Sequence, residues 1–524
     1  MISLISFRRA AQRGQRQDWR YGMTALVAGV AAVFSLPPFS ILAFVPASYG
    51  VLYLLVRGRR PGVACVLGWF YGLGYFGVGL SWIAESFTVD AERFGVLALP
   101  AVAGLSAVLA FFPALATGLF VLAARRRTTS ELLAAVLFAM CWAGAEWLRG
   151  HILTGFPWNL PAYALSDYAA LRQSAAWIGS YGLTLLVVLA GVLLAQSAAA
   201  RGASRRTAFL FFGLVVGGLW GVGEVRLAQP APASPDVSLR IVQGNVPQRE
   251  KWDPQNREPT LSRYLALSRQ RGPVDVVLWP ETAYPGFVDE NDQVRRRIAA
   301  ALPEGSVLLT GAPDRTMSEG RTFYFNTIQA YDSAATALTS YAKHHLVPFG
   351  EYVPLPGWLP LERMTEGLGD FTPGSGPSTL AMAALPTVAP AICYEIIFPG
   401  HVVSDTARPD WIFNATNDAW FGTSIGPEQH LASARMRAVE EGLPVIRAAN
   451  TGISAVIDAY GRLQATLDLE ETGAIEASLP PSLPRTLYAR AGDWVLLPLG
   501  LALWLIAGGG QQLADRQARR DRCA

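Results

Sequence analysis

The chain has 524 residues, 51% hydrophobic and only 16% charged, where a soluble protein of this size carries about 25% charged residues. That shortfall excludes a wholly soluble protein. The net charge of +3 does not point to nucleic acid either, because the arginines sit in short clusters between apolar runs.

The first twenty residues form a basic arm with five arginines, Arg8, Arg9, Arg13, Arg16 and Arg20, ahead of a long apolar stretch. A cleavable signal has a short apolar core and a small-residue cleavage site. Here apolar segments simply continue, which predicts an uncleaved first span. Residues 21–56, 61–84 and 94–124 contain no charged side chain. A helix needs about 20 apolar residues to cross a bilayer, so spans are expected near 21–36, 39–56, 61–84, 94–124, 131–149, 173–198, 207–227 and 493–510. Pro37-Pro38 separates the first two, since proline breaks the helical hydrogen-bond ladder.

Arginine placement orients these eight spans. With a cytoplasmic N-terminus, the inside segments are the arm, 57–60, 125–127, 201–206 and the tail 511–524; they carry 18 arginines. The short outside loops carry Arg93, Arg149 and Arg172. Splitting 94–124 into two spans would move the Arg125–Arg127 cluster outside, against the positive-inside rule. Seven spans over 21–227 then place the globular region 237–480 outside the cytoplasm. Glu146 and Arg149, three residues apart near the end of a span, are read as a helix-end ion pair, although ionisable groups at membrane depth also invite a functional reading.

Between 237 and 480 short β-branched runs such as VSLRIVQGNV, VDVVLWPE, LPTVAPAICYE and DWIFNATND alternate with helical patterns near 256–271, 290–301 and 427–441. This is the pattern of an α/β or α+β domain with largely buried strands. The stretch 351–376 is a long Pro/Gly-rich loop displaying Leu355, Trp358, Leu359 and Leu361. Loops of that length are usually functional or disordered, and in a membrane protein such residues either dip into the interface or pack in a core.

Three reactive side chains each follow an apolar strand: Glu281 in VDVVLWPETAYP, Lys343 in LTSYAKHHLVPFGEYVP and Cys393 in LPTVAPAICYEIIFPG. Strand ends held by a rigid sheet are favourable places for catalytic groups. Cys393 is the sole cysteine of the globular region; Cys65 and Cys141 lie in apolar runs and Cys523 in the tail. It has no disulfide partner within its region, which matters in an oxidising compartment. Taken alone, each residue also has a bland reading, as a buried small hydrophobe, a cap or a surface charge. His344 and His345 adjoin Lys343, so a Cys–His dyad is an alternative.

The order Glu281, Lys343, Cys393 resembles the nitrilase (carbon–nitrogen hydrolase) superfamily, which implies an α-β-β-α sandwich and the base role for Glu281. Residues 144–163 (GAEWLRGHILTGFPWNLPAY), 243–254 (QGNVPQREKWDP), 343–356 (KHHLVPFGEYVPLP) and 414–422 (NATNDAWFG) further resemble the apolipoprotein N-acyltransferase family, over nearly the whole chain. The resemblance implies Cys393 as nucleophile with Glu281 and Lys343, and Trp252, Glu351, Tyr394 and Glu395 as further essential positions. It also implies a phospholipid acyl donor, typically phosphatidylethanolamine, and a diacylglyceryl-modified N-terminal Cys of a lipoprotein as acceptor. The setting would be a bacterial inner membrane with the domain in the periplasm, a monomer, and no cofactor.

The chemistry suits those substrates. A thiolate moves an acyl group from ester to amine through a thioester, splitting one hard step into two. Glu281 would carry the protons, and Lys343 with the Tyr394 N–H would stabilise the oxyanion. A membrane-tethered nitrilase-type amidase, or a transporter with an inert domain, are the competing expectations.

Overall fold

The computed structural model describes residues 19–124, 130–270, 272–353, 370–382 and 385–508. The basic arm up to residue 18, Arg125–Arg127, the loop residues Leu355, Trp358, Leu359 and Leu361, and the tail with Cys523 lie outside the described residues. The chain forms two compact units. One holds residues up to Ser81, Leu99–Val225 and the chain from Asp493; the other holds Trp82–Ala98 and Arg226–Gly492.

The first unit is helical. Six helices among the described residues are long and apolar enough to cross a membrane: Pro61–Gly79, Ala91–Ala124, Glu131–His151, Ala175–Ala199, Gly202–Leu227 and Leu487–Gly508; the first turns of Ala91–Ala124 and Leu487–Gly508 and the last two residues of Gly202–Leu227 are counted with the other unit. The 94–124 run is a single candidate span, made of two stacked helices, Ala98–Leu109 and Phe111–Ala124. The two spans expected first are shorter. A helix occupies 19–33, and Pro46–Val56 is a separate apolar helix after the Pro37-Pro38 turn. Apolar side chains such as Phe209, Leu210, Leu214, Trp220, Leu501 and Leu505 stand exposed on the helices. A lipid solvent explains that exposure, since helices satisfy their own backbone groups there.

Small residues set the helix spacing in this unit. A Cβ on Gly29 would lie 2.0 Å from the Tyr71 carbonyl oxygen, and one on Gly74 would lie 2.1 Å from that of Leu26. The helices 19–33 and Pro61–Gly79 therefore meet backbone to backbone, the close approach that glycine permits between membrane helices. Deep in the bundle, Glu146 and Arg149 form the expected pair (Arg149 Nε to Glu146 Oε2, 2.9 Å), and Arg149 also donates to the carbonyls of Phe156 and Trp158.

The second unit is built on two six-stranded sheets. In chain order the strands are β1 (Ser238–Gln243), β2 (Val276–Leu278), β3 (Val307–Ser318), β4 (Arg321–Tyr331), β5 (Ala337–Ala342), β6 (Leu380–Met382), β7 (Leu385–Ile392), β8 (Trp411–Thr416), β9 (Val445–Ala449), β10 (Ser454–Ile457), β11 (Leu463–Leu467) and β12 (Gly473–Ser478). The sheet orders are β12-β1-β2-β3-β4-β5 and β11-β10-β9-β8-β7-β6. β1, β2 and β3 run parallel, as do β7, β8 and β9.

Strand alternation explains the layering. Val276 and Leu278 of β2 join a core shared with Ile392, Phe413 and Ile446 of the other sheet. Val277, pointing the opposite way, packs with Leu261, Leu265 and Ile298 from helices Arg257–Ser268 and Asp292–Ala299. Helix Gly426–Glu441 follows β8 in the second sheet, and nearly every residue along it is buried. The result is a layered α/β sandwich, as expected for 237–480. One departure from the expected domain limits is Trp82–Ala98, which belongs to this unit. Its Trp82 ring meets Phe421 edge-on at 4.4 Å, and Ser86 Oγ donates to the Trp420 carbonyl (2.9 Å).

Candidate active site

Three strand ends converge. β2 runs into Trp279-Pro280-Glu281, β5 ends one residue before Lys343, and β7 ends one residue before Cys393. Glu281 is seated by a close backbone approach. A Cβ on Gly311 of β3 would lie 2.5 Å from the Glu281 Cα, so only glycine fits there, and the Ala283 N–H donates to the Gly311 carbonyl (3.0 Å). Cys393 adopts a left-handed backbone (φ 49°) at the start of a 3-10 turn, Cys393–Ile397. A non-glycine residue in that region needs its surroundings to hold it.

Glu395 supplies much of that support. Its carboxylate accepts the N–H groups of Ile392 (2.7 Å), His344 (2.8 Å) and His345 (3.2 Å) and the Tyr341 hydroxyl (2.8 Å). It therefore ties the end of β5 to the turn after β7. Burial disfavours the Glu395 carboxylate, but His344, the Ile392 N–H and Lys343 hold its pKa below the usual range. Behind the turn lies a second buried network. His430 Nε2 donates to the Cys393 carbonyl (3.1 Å), and Nδ1 meets Asp418 Oδ1 (2.9 Å). Asp418 is also paired with Arg447 (2.5 Å); against the penalty of burial, Arg447 and His430 bring it to about 2.

The charged centre comprises Glu281, Lys343 and Glu351, all buried. Lys343 Nζ lies 2.8 Å from Glu351 Oε2 and 3.8 Å from Glu281 Oε1. Asn326 of β4 bridges the two carboxylates, donating to Glu281 (2.7 Å) and Glu351 (2.9 Å). Burial pushes Glu281 up, Lys343 opposes this and Glu351 adds to it; the net shift is upward. Lys343 is pulled down by burial, yet Glu351 and Glu281 together hold it above the ordinary lysine value. The Cys393 thiol is pushed up to about 12 by burial and by Glu281, opposed by Lys343 and by a hydrogen bond with Thr416.

The neighbouring histidines are engaged elsewhere. His344 Nδ1 contacts Glu395 (2.7 Å), and the His345 ring stacks on Phe398 at 3.8 Å. β5 stops at Ala342, so Lys343 and both histidines lie beyond the strand. Tyr394 is buried edge-on against the stacked His345 and Phe398 rings. Trp252 is half-buried at the end of the single helical turn Gln248–Lys251.

Sequence reasoning missed Lys251 and Asn326. Lys251 is buried, with Nζ donating to the Glu281 carbonyl (3.2 Å), and no strand leads to it. Asn326 left a trace, a lone Asn inside an aromatic strand where this residue type is depleted.

Two family models cover most of the chain. The apolipoprotein N-acyltransferase N-terminal domain matches residues 28–193, and carbon–nitrogen hydrolase matches 238–487. An apolipoprotein N-acyltransferase of Rhodopseudomonas palustris is 38% identical over 93% of this chain and 94% of its own length. Another, from Bradyrhizobium diazoefficiens, is 40% identical over 91% and 92%. The chain belongs to the apolipoprotein N-acyltransferase family. Its α/β unit is a carbon–nitrogen hydrolase domain, and the family is one of membrane enzymes, in keeping with the six apolar helices. Among solved structures, an amidase of the nitrilase superfamily from Nesterenkonia is 18% identical, with a TM-score of 0.34, covering 49% of this chain and 93% of that one.

Proposed function

We propose that the protein transfers an acyl chain from a membrane phospholipid, phosphatidylethanolamine foremost, to the N-terminal amine of a diacylglyceryl-Cys lipoprotein through a thioester on Cys393. The observation that carries this reading is the convergence of a buried carboxylate, a buried ammonium and a strained cysteine at three strand ends, in a chain of this family.

In the first half-reaction Glu281 takes the thiol proton, sulfur bonds to the ester carbonyl carbon, and the carbonyl π pair moves to oxygen. Lys343 and the Tyr394 N–H stabilise that oxyanion. Collapse breaks the ester C–O bond, and Glu281 returns its proton to the leaving lysophospholipid alkoxide. In the second half-reaction Glu281 deprotonates the incoming amine, which displaces the thiol as the amide forms. The raised pKa of Glu281 suits a group that both takes and gives a proton. A thiol at about 12 stays protonated and unreactive until Glu281 accepts its proton. Glu351 and Glu395 position Lys343 and the turn that holds Cys393. Trp252 and Tyr394 adjoin Lys251 and Cys393 in the chain.

The eight-span arrangement, the periplasmic α/β domain, cytoplasmic termini and a monomeric state belong to the same proposal, supported by the 18-to-3 arginine asymmetry. Purified enzyme supplied with phosphatidylethanolamine and a diacylated lipopeptide is expected to give triacylated product. Release of ammonia from small amides without lipopeptide acylation would favour the amidase instead.

A further inference from the structure

We propose that Lys251 is a second cationic member of this centre: its ammonium, held by the Glu281 main-chain carbonyl, presents its two remaining N–H donors to the oxyanion formed when Cys393 attacks an acyl ester. The inference rests on Cys393 being the nucleophile.

Three observations carry it. The first is donor accounting. A lysine ammonium has three donors. Lys251 is 1% exposed, and among the described residues its one hydrogen-bond partner is the Glu281 carbonyl at 3.2 Å. Leaving buried donors unmatched is costly, and no structural task at this position accounts for the other two. Lys343, by contrast, is committed to Glu351 at 2.8 Å and faces Glu281 at 3.8 Å.

The second is charge. Glu281, Glu351 and Lys343 together carry one net negative charge, and Lys251 balances these three. Moving the thiol proton to Glu281 and forming the oxyanion conserves that total. With Lys251 this four-group cluster stays balanced at the transition state; without it, one of its charges is left uncompensated at low dielectric. Lys251 is within electrostatic reach of both Glu281 and Cys393, while burial draws its own pKa down to about 8.

The third is rigidity. The turn Gln248–Lys251 is fixed by side chains from the opposite sheet. Asn417 Nδ2 donates to Gln248 Oε1 (2.6 Å), Asn450 Nδ2 donates to Asn417 Oδ1 (2.9 Å), and Asn450 Oδ1 accepts the Val246 N–H (3.0 Å). A preorganised donor costs no reorganisation when the oxyanion appears.

The test uses full-length enzyme in phosphatidylethanolamine-containing micelles, comparing wild type with Lys251→Met and Lys251→Arg. The rate of acyl adduct formation on Cys393 is followed by mass spectrometry. Alkylation of Cys393 by iodoacetamide, which forms no oxyanion, is measured beside it, with a thermal melt to verify folding. Lys251→Met is expected to slow acylation by roughly 100-fold, alkylation by far less, and Lys251→Arg to recover part of the loss. Acylation within threefold of wild type in Lys251→Met overturns the proposal. So does an equal fall in acylation and alkylation, which would place Lys251 on the thiol or the fold. Absence of any Cys393 adduct in the wild type is a separate failure, that of the nucleophile assignment, and it removes the inference as well.

Discussion

Each unit buries ionic groups, and they are satisfied very differently. In the helical unit four of the five Arg149 N–H donors are used: Nε and Nη2 go to Glu146, and Nη1 goes to the Phe156 and Trp158 carbonyls. In the α/β unit Lys343 and Glu281 stand 3.8 Å apart, and among the described residues Lys251 keeps unused donors and Asn326 Oδ1 is buried with no hydrogen-bond partner. Buried polar groups normally find partners. A saturated pair therefore reads as structure, and an unsaturated one as a site awaiting a substrate's polar atoms. Asp418 and Arg447 behind Cys393 follow the first pattern inside the second unit, holding the turn without facing the chemistry.

That contrast breaks most readily at Glu281. Glu281→Gln removes the proton carrier and is expected to lower acyl transfer by roughly 10²–10⁴-fold, with the melting temperature little changed. Substantial activity in this variant would make the open cluster structural after all. Glu146→Gln should do the reverse. It leaves Arg149 buried without its counter-charge, at a cost of about 3–5 kcal/mol in stability, while turnover by the surviving folded protein stays near normal. Replacing both partners (Glu146→Leu with Arg149→Met) should recover most of that stability in a detergent-phase unfolding assay.

Gly311→Ala probes how finely the open cluster is placed. The added methyl must displace the Glu281 backbone, and a misplacement near 1 Å costs about 10²-fold in rate; wild-type kcat in this variant would contradict the tight seating. The smallest effect concerns pH. Glu281 is needed ionised, and its pKa is raised, so activity is full above that raised value and falls as pH drops through it, above the ordinary carboxylate value of about 4.3. Glu351→Gln removes a like charge that lifts Glu281, so the acidic limb should move to lower pH. A limb that stays or rises would show that Lys343 and burial alone set it.

Much of this was legible in the sequence because strands and charges leave periodic traces. The runs VSLRIVQGNV, VDVVLWPE, LPTVAPAICYE and DWIFNATND, read as strands, correspond to β1, β2, β7 and β8, which lie inside the sheets. β6, β11 and β12 were missed, and all three are sheet edges, where exposure permits polar residues and erases the signal. Glu281, Lys343 and Cys393 were readable since each follows a strand. Lys251 was not: it sits on one isolated helical turn, and only the fold brings it beneath the Glu281 carbonyl. The Glu146–Arg149 pair was visible from its three-residue spacing on a helix. By contrast, the segment Trp82–Ala98 gave no hint that it joins the α/β unit, because its anchor, Trp82 on Phe421, is a contact between residues far apart in the chain.

The unsaturated cluster serves to charge Cys393 with an acyl group. Intact-protein mass spectrometry of the full-length enzyme, incubated with phosphatidylethanolamine and no acceptor, addresses it directly. The expected result is one acyl chain on Cys393, released by neutral hydroxylamine, discharged by a diacylated lipopeptide and absent in Cys393→Ala. Acyl transfer to the lipopeptide with no Cys393 adduct, by a Cys393→Ala variant that remains active, would contradict the account and point to a direct single-step transfer.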